Sequence, residues 1–305
     1  MKLGLYSVTY SGVWYRGRAL TLSEFIARAK QFGFDGVEIG LKRPQASPLD
    51  LNEKACDGIR KELSRQEVEL AACASYNDFS SPVLEDREVQ LHFLRGQIKL
   101  TKALGAKILR VFAAWPGITF RDGVATYDMT RRYIETHYPD TTYLERWNFV
   151  KEGLKEAAGY AEEAGVVLAL QNHAPIIRTY EDMLAFIREV DSPFVKACLD
   201  CPLLRPRDGD AEYVAQAVRD TGALQVHSHF GGEFRRNQQG QVQLDANTNY
   251  PAFVRALKGI GYDGCLCYEF CHLCLDDRHQ VAGIDRIDEQ VRLAAEYMSQ
   301  VIATA

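Results

Sequence analysis

The stretch LQVHSHFGGEFRR, residues 224–236, places His227 and His229 one residue apart. On an extended strand, residues i and i+2 face the same side, so both imidazoles would project together. Other oxygen- and nitrogen-bearing residues stand at comparable places along the chain. Glu38 lies in the apolar run GVEIGL; Gln171, Asn172 and His173 close VVLALQNH; Asp200 closes VKACLD; Glu269 sits within DGCLCYEFC. Two carboxylates, an imidazole and an amide oxygen form a mixed nitrogen–oxygen set. Such a set suits a divalent ion, Mn²⁺ first, with Mg²⁺, Co²⁺ or Zn²⁺ as alternatives. It contains no sulfur, which favours a catalytic centre with exchangeable positions over a closed structural site. His229, nearer the strand's end, is the expected ligand. His227, two residues deeper, is expected to support it or to line the substrate site.

Residues so far apart in sequence meet only if regular elements deliver them to one place. Eight apolar, β-branched runs alternate with longer amphipathic segments: KLGLYSVTY, GVEIGL, VELAACASY, AKILRVFAAW, VVLALQNH, VKACLDC, ALQVHSH and DGCLCYEFC. Near-continuous apolar strands that alternate with helices predict a parallel sheet covered by helices. Eight such units in 305 residues predict a (β/α)8 TIM barrel as one domain, residues 1–305. Thr21 with Glu24 and Thr179 with Asp182 have the spacing of capping boxes, and Gly33, Gly105 and Gly165 close helical patterns. No G-x-G-x-x-G follows the first run, so a dinucleotide site is unsupported. Residues 116–140 are too long for a plain connection and predict an excursion over one barrel end, with the segment 247–253 as a second contributor to the substrate site. In such a barrel the reactive groups stand at the C-terminal ends of the strands, where the polar residues above are found.

The chain resembles the xylose-isomerase-like TIM barrels, a family of sugar isomerases, epimerases and related dehydratases whose superfamily includes apurinic endonucleases. FGFDGVEIG, AGVVLALQNH, SPFVKACLD, HSHFGGEFRR and GYDGCLCYEF carry the resemblance across nearly the whole chain. It implies one divalent metal held by Gln171, Asp200, His229 and Glu269, and an arginine that holds the sugar, Arg235. It further implies a keto-sugar isomerase or epimerase that moves a proton beside a carbonyl through an enediolate, with Glu269 as base. The family places a glutamate where Gln171 stands. A glutamine keeps a metal-binding oxygen but cannot accept a proton. His173, on the same strand face, is the candidate substitute, given an imidazole's usual pKa near neutrality. A β-eliminating lyase, a dehydratase or an enzyme that cleaves keto-glycosides, is the alternative on the same scaffold, since elimination does not need two opposed carboxylates.

Each residue also has a plainer use. Asp200 could start a helix, Glu38 could pair with a nearby cation instead of facing substrate, and Arg235 and Arg236 could be a solvated pair. Trp115, Trp14 and Tyr6 could pack the core instead of stacking on a sugar, and Arg110 could meet an inner carboxylate. The net charge of −5 argues against nucleic-acid binding, and only seven histidines are present, too few for the three-zinc cluster of the endonucleases. His92, His137, His272 and His279 lie away from the expected strand ends. No run approaches the ~20 apolar residues of a membrane span, and MKLGLYSVTY lacks a signal-peptide pattern, so a cytoplasmic enzyme is expected. The eight cysteines read as buried free thiols and not as a Cys-only zinc site, despite CLDC and CHLC. A barrel with a decayed site and a partner-binding role is the remaining alternative; self-association into a homo-oligomer stays open.

Overall fold

A computed structural model of the chain describes residues 1–115, 117–127 and 140–305. Eight parallel strands close into a barrel: β1 (Lys2–Tyr6), β2 (Gly36–Gly40), β3 (Glu69–Ala74), β4 (Ile108–Val111), β7 (Val167–Gln171), β8 (Val195–Cys198), β9 (Gln225–Gly231) and β12 (Cys265–Glu269). They pair in chain order, with β12 returning to β1. The two remaining pairs are short hairpins, β5 (Thr119–Arg121) with β6 (Val124–Thr126), and β10 (Phe234–Arg236) with β11 (Val242–Leu244). All eight apolar runs are strands, shorter than their apolar stretches. KLGLYSVTY turns after Tyr6 into a 3-10 helix over Ser7–Tyr10, which carries the chain off the barrel rim.

The helices are α1 (Leu22–Gln31), α2 (Glu53–Gln66), α3 (Leu84–Leu104), α4 (Tyr143–Ala164), α5 (Tyr180–Val190), α6 (Ala211–Thr221), α7 (Tyr250–Gly259) and α8 (Ile284–Thr304). α1 shows why they lie on the sheet. Leu22, Phe25, Ile26 and Ala29 form one buried stripe at helical spacing. Burial of each large side chain contributes roughly 1.5–3 kcal/mol. Thr21 caps it through a full capping box with Glu24, and Thr179 does the same for α5 with Asp182. Gly105 and Gly165 end α3 and α4 in the left-handed conformation, at φ +87° and +69°. The segment 247–253 is used locally: Asn249 caps α7 through Ala252 N–H. It does not reach the site described below. Among the described residues no helix is long and apolar enough to cross a membrane.

The main apolar core lies between barrel and helices. The barrel interior holds a second, small cluster of Tyr6, Val8, Ala74, Cys265 and Cys267. Space there is tight: a Cβ on Gly4 would lie 2.3 Å from Cys267 Sγ. All eight cysteines are free thiols. The part of the excursion that is described is the β5–β6 hairpin, tied down where Ala125 N–H donates to Val13 O at 2.8 Å. Residues 116 and 128–139 of the expected excursion, His137 among them, lie outside the described residues.

Candidate active site

Strand alternation puts both histidines of β9 inside the barrel, their rings 5.0 Å apart and perpendicular. They share one partner. His227 Nε2 lies 3.0 Å from Glu38 Oε2, and His229 Nε2 bonds the same oxygen. The other oxygen of Glu38 lies 3.5 Å from Arg110 Nε, so Arg110 does meet an inner carboxylate. Burial pushes the Glu38 carboxyl up, but His229 and His227 outweigh it and hold the group well below the usual carboxylate range.

This corrects two expectations. Glu38 does not face substrate, because it is the middle residue of β2, 0% exposed, with the strand running on to Gly40. His227, 1% exposed, likewise lies below the rim and holds Glu38.

Nearer the rim, three of the four expected ligands converge. His229 Nδ1 is 2.9 Å from Asp200 Oδ2, and Asp200 Oδ1 accepts the His229 backbone N–H at 2.8 Å. Gln171 Nε2 donates to Asp200 Oδ2 and lies 3.3 Å from His229 Nδ1. Adjacent strands bring these residues together, since β7 pairs with β8 and β8 with β9. Asn172 fixes the Asp200 backbone, accepting its N–H at 2.8 Å. Burial alone would deprotonate His229, yet the Asp200 and Glu38 carboxylates raise its pKa well above the ordinary value. With a carboxylate at each nitrogen, its ring carries two protons.

The residues fit a divalent ion. Gln171 Oε1 is buried without a hydrogen-bond partner, an amide oxygen beside a carboxylate and an imidazole. Glu38, at His229 Nε2, fixes the ring so that the Nδ1 lone pair is available to a cation in place of the second proton. A carboxylate commonly orients a metal-binding histidine in this way. Glu269, the fourth expected ligand, stands on the wall of the adjoining cavity, which Gln171 also lines. Sulfur is closer than expected: ligand atoms of Cys198, Asp200 and His229 lie within 4.8 Å of one another. Burial holds the Cys198 thiol protonated, and it donates to Asp200 Oδ1 at 3.6 Å, so it supports the aspartate.

The cavity beside this cluster is small, about 50 Å³. Trp115 lies on its wall as expected, stacked on Phe112 at 4.7 Å and edge-on to His173 at 5.2 Å. Tyr6 and Trp14 line it too, with Ile118 and Tyr127 contributed by the β5–β6 hairpin and its end. Burial pushes the Glu269 carboxyl up to about 7, against the pull of His229. His173 also faces the cavity, but burial takes its pKa down to about 4, away from the neutral value expected of it. Its Nδ1 faces the Ala174 carbonyl, which can only accept, so Nδ1 carries the proton and Nε2 keeps a lone pair.

Arg235 is not brought to the cavity. It projects from β10 with its side chain 69% exposed and pairs with Asp245 on the turn beyond β11 at 3.2 Å. The hairpin, which sequence reasoning did not anticipate, carries it outward. Among the wall residues that the sequence did not single out are Lys42 and Tyr76, with the Lys42 ammonium 4.0 Å from the centre of the Tyr76 ring. Both stand two residues beyond strand ends, so inspection of the second and third runs for polar groups past their last apolar residue would have found them.

The fold and this cluster at the ends of consecutive strands define a class, and the sequence agrees. The model of the xylose isomerase-like TIM barrel family matches residues 26–300, and the chain belongs to that family. No curated protein matches the chain. Among solved structures it is similar to the D-psicose 3-epimerase of Clostridium cellulolyticum H10, with TM-score 0.74, 18% identity and 99% of each chain covered. It is also similar to the D-allulose 3-epimerase of Methylomonas sp., with TM-score 0.69, 19% identity, and 98% of this chain and 96% of that one covered. The 3-keto-D-glucoside 4-epimerase YcjR of E. coli gives TM-score 0.67 and 19% identity, with 99% of each chain covered. At these identities the likeness establishes a shared barrel.

Proposed function

We propose that the protein is a divalent-metal-dependent keto-sugar isomerase or epimerase that transfers a proton next to a carbonyl. The single observation that carries this is Glu269. Its carboxyl stands on the wall of an aromatic cavity that Gln171 and His173 also line, where it can take a proton from a bound substrate and return it. When bound by Gln171, Asp200, His229 and Glu269, the metal would supply Lewis-acid stabilisation of charge developing on substrate oxygen.

Glu269 removes the proton from the carbon beside the carbonyl and becomes the neutral acid. Return of that proton to the adjacent carbon interconverts aldose and ketose with one base. Epimerisation at one carbon needs removal on one face and delivery on the other: His173, with Nε2 open, takes the proton while the neutral acid of Glu269 delivers one from the opposite face, and the reverse turnover resets both. Trp115, Phe112 and Trp14 exclude water from the reacting carbons. The names of the similar solved structures given above, all sugar epimerases, support this reading over elimination.

The test is proton exchange. Protein loaded with Mn²⁺ and incubated with D-fructose and D-psicose in D₂O is expected to place deuterium at the carbon beside the carbonyl, read by NMR. A metal-bound protein that exchanges no such proton in a panel of ketoses and keto-glycosides would sink the proposal.

A further inference from the structure

Lys42 is the one ammonium on the cavity wall, and the mechanism above does not use it. It stands two residues beyond β2, with the Tyr76 ring 4.0 Å from its Nζ, and that ammonium makes no hydrogen bond or ion pair with any described residue. The other charges of the site are already matched. Arg110 faces Glu38, and Glu269 is the only carboxyl among the described wall residues. The expected ligand set contains two carboxylates, Asp200 and Glu269, which offset a divalent ion without surplus. Among the described residues, Lys42 therefore adds a positive charge that no carboxylate balances, inside walls built from Tyr6, Tyr76, Phe112 and Trp115. Lys42 is half-buried, and its ammonium is met by the Tyr76 ring face but by no anion among the described residues. Burial and the nearby Arg110 lower its pKa to about 8, which leaves it charged at neutral pH. A ligand that carries an anion would supply the counter-charge.

We infer that Lys42 receives a carboxylate of the substrate, so that the site takes keto-sugar acids in preference to neutral ketoses. The inference rests on the keto-sugar reading above and deepens it. A carboxylate carries the single negative charge that one ammonium offsets, whereas a phosphate monoester carries about −1.5 to −2 at pH 7.

Three probes separate the possibilities by calorimetry on the Mn²⁺-loaded protein at pH 6.5. These are D-fructose, D-fructuronate (fructose with a carboxylate in place of the C6 hydroxymethyl) and D-fructose 6-phosphate. The expected result is fructuronate binding at least tenfold tighter than fructose. Lys42→Met should erase that preference and Lys42→Arg retain it, with melting temperature and bound Mn²⁺ confirming that both variants are folded. Equal binding of fructose and fructuronate, or a preference that survives Lys42→Met, overturns the inference. Tightest binding by the phosphate overturns the carboxylate assignment. If fructose binds and exchanges its proton as well as fructuronate does, only this inference falls; if no sugar binds, the keto-sugar reading falls with it.

Discussion

Changing Glu38 to Gln tests how the site is held together. In the wild-type protein one fully buried carboxylate accepts from His227 and His229 and faces Arg110 at 3.5 Å. Glutamine has nearly the same shape, so little packing is lost, but the negative charge goes and the Arg110 guanidinium stays buried without it. Loss of one partner of a buried ion pair typically costs about 3–5 kcal/mol. At about 2 °C per kcal/mol for a chain of this size, the metal-free variant should melt about 6–10 °C below wild type. The same change loosens His229, whose Nε2 loses its carboxylate, and affinity for Mn²⁺ should fall about 10–100-fold. Scanning calorimetry of the metal-free protein and a Mn²⁺ titration measure the two effects separately. A second substitution, Arg110→Met, should restore part of the stability by removing the stranded cation, but none of the metal affinity. A single variant that melts within 2 °C of wild type and binds Mn²⁺ normally would refute the role assigned to Glu38.

Further expectations concern the ligands, the base, the packing and the lysine. Metal analysis should find about one divalent ion per chain in wild type and less than a tenth of that in Asp200→Asn or His229→Ala; retention of metal by either variant would displace the ligand assignment. Glu269→Gln should lower deuterium exchange into substrate by about 10²–10⁴-fold, and an unchanged rate would remove Glu269 as base. Gly153→Ala, on α4, would place a Cβ 2.6 Å from Phe79 Cγ. The crowding should cost about 1–3 kcal/mol, exceeding the gain in helix propensity, and a raised melting temperature would contradict it. Binding of a keto-sugar acid should weaken as pH rises through about 8, because Lys42, protonated below that value, loses its charge. Arg110 and Glu269 are the charged groups sharing its cavity, and Tyr6, Tyr76, Tyr127, His173 and Cys271 the other titratable ones. Lys42→Arg should bind the same acid without a break near pH 8, and a break that persists there would assign the titration to one of those neighbours.

Much of the architecture was legible because it rests on local rules. Eight apolar runs alternating with amphipathic segments could bury their faces only as a helix-covered parallel sheet, and that sheet is closed. Thr21 with Glu24 and Thr179 with Asp182 cap helices because a side chain and a backbone amide three residues apart meet in any helix start. The spacing of His227 and His229 likewise predicted that both face one side, since strand alternation requires no tertiary information. The placement of Asp200 and Gln171 beside His229 followed from adjacent strands.

Depth, direction and charge were decided only by the folded chain. Glu38 read as a strand end because the run around it is short, but closure of the barrel puts it a layer below the rim, where His227, His229 and Arg110 meet it. Arg235 follows the histidines closely in sequence, yet the β10–β11 hairpin carries it outward to Asp245. The pKa values of Glu269 and His173, about 7 and about 4, come from how much water the cavity excludes and which charges lie across it. No sequence window contains those groups together. The residue types and their order along the chain determined which elements form and what chemistry could be assembled; the closed barrel determined which side chains share a space, because distance and dielectric belong to the assembled molecule and not to any segment of it.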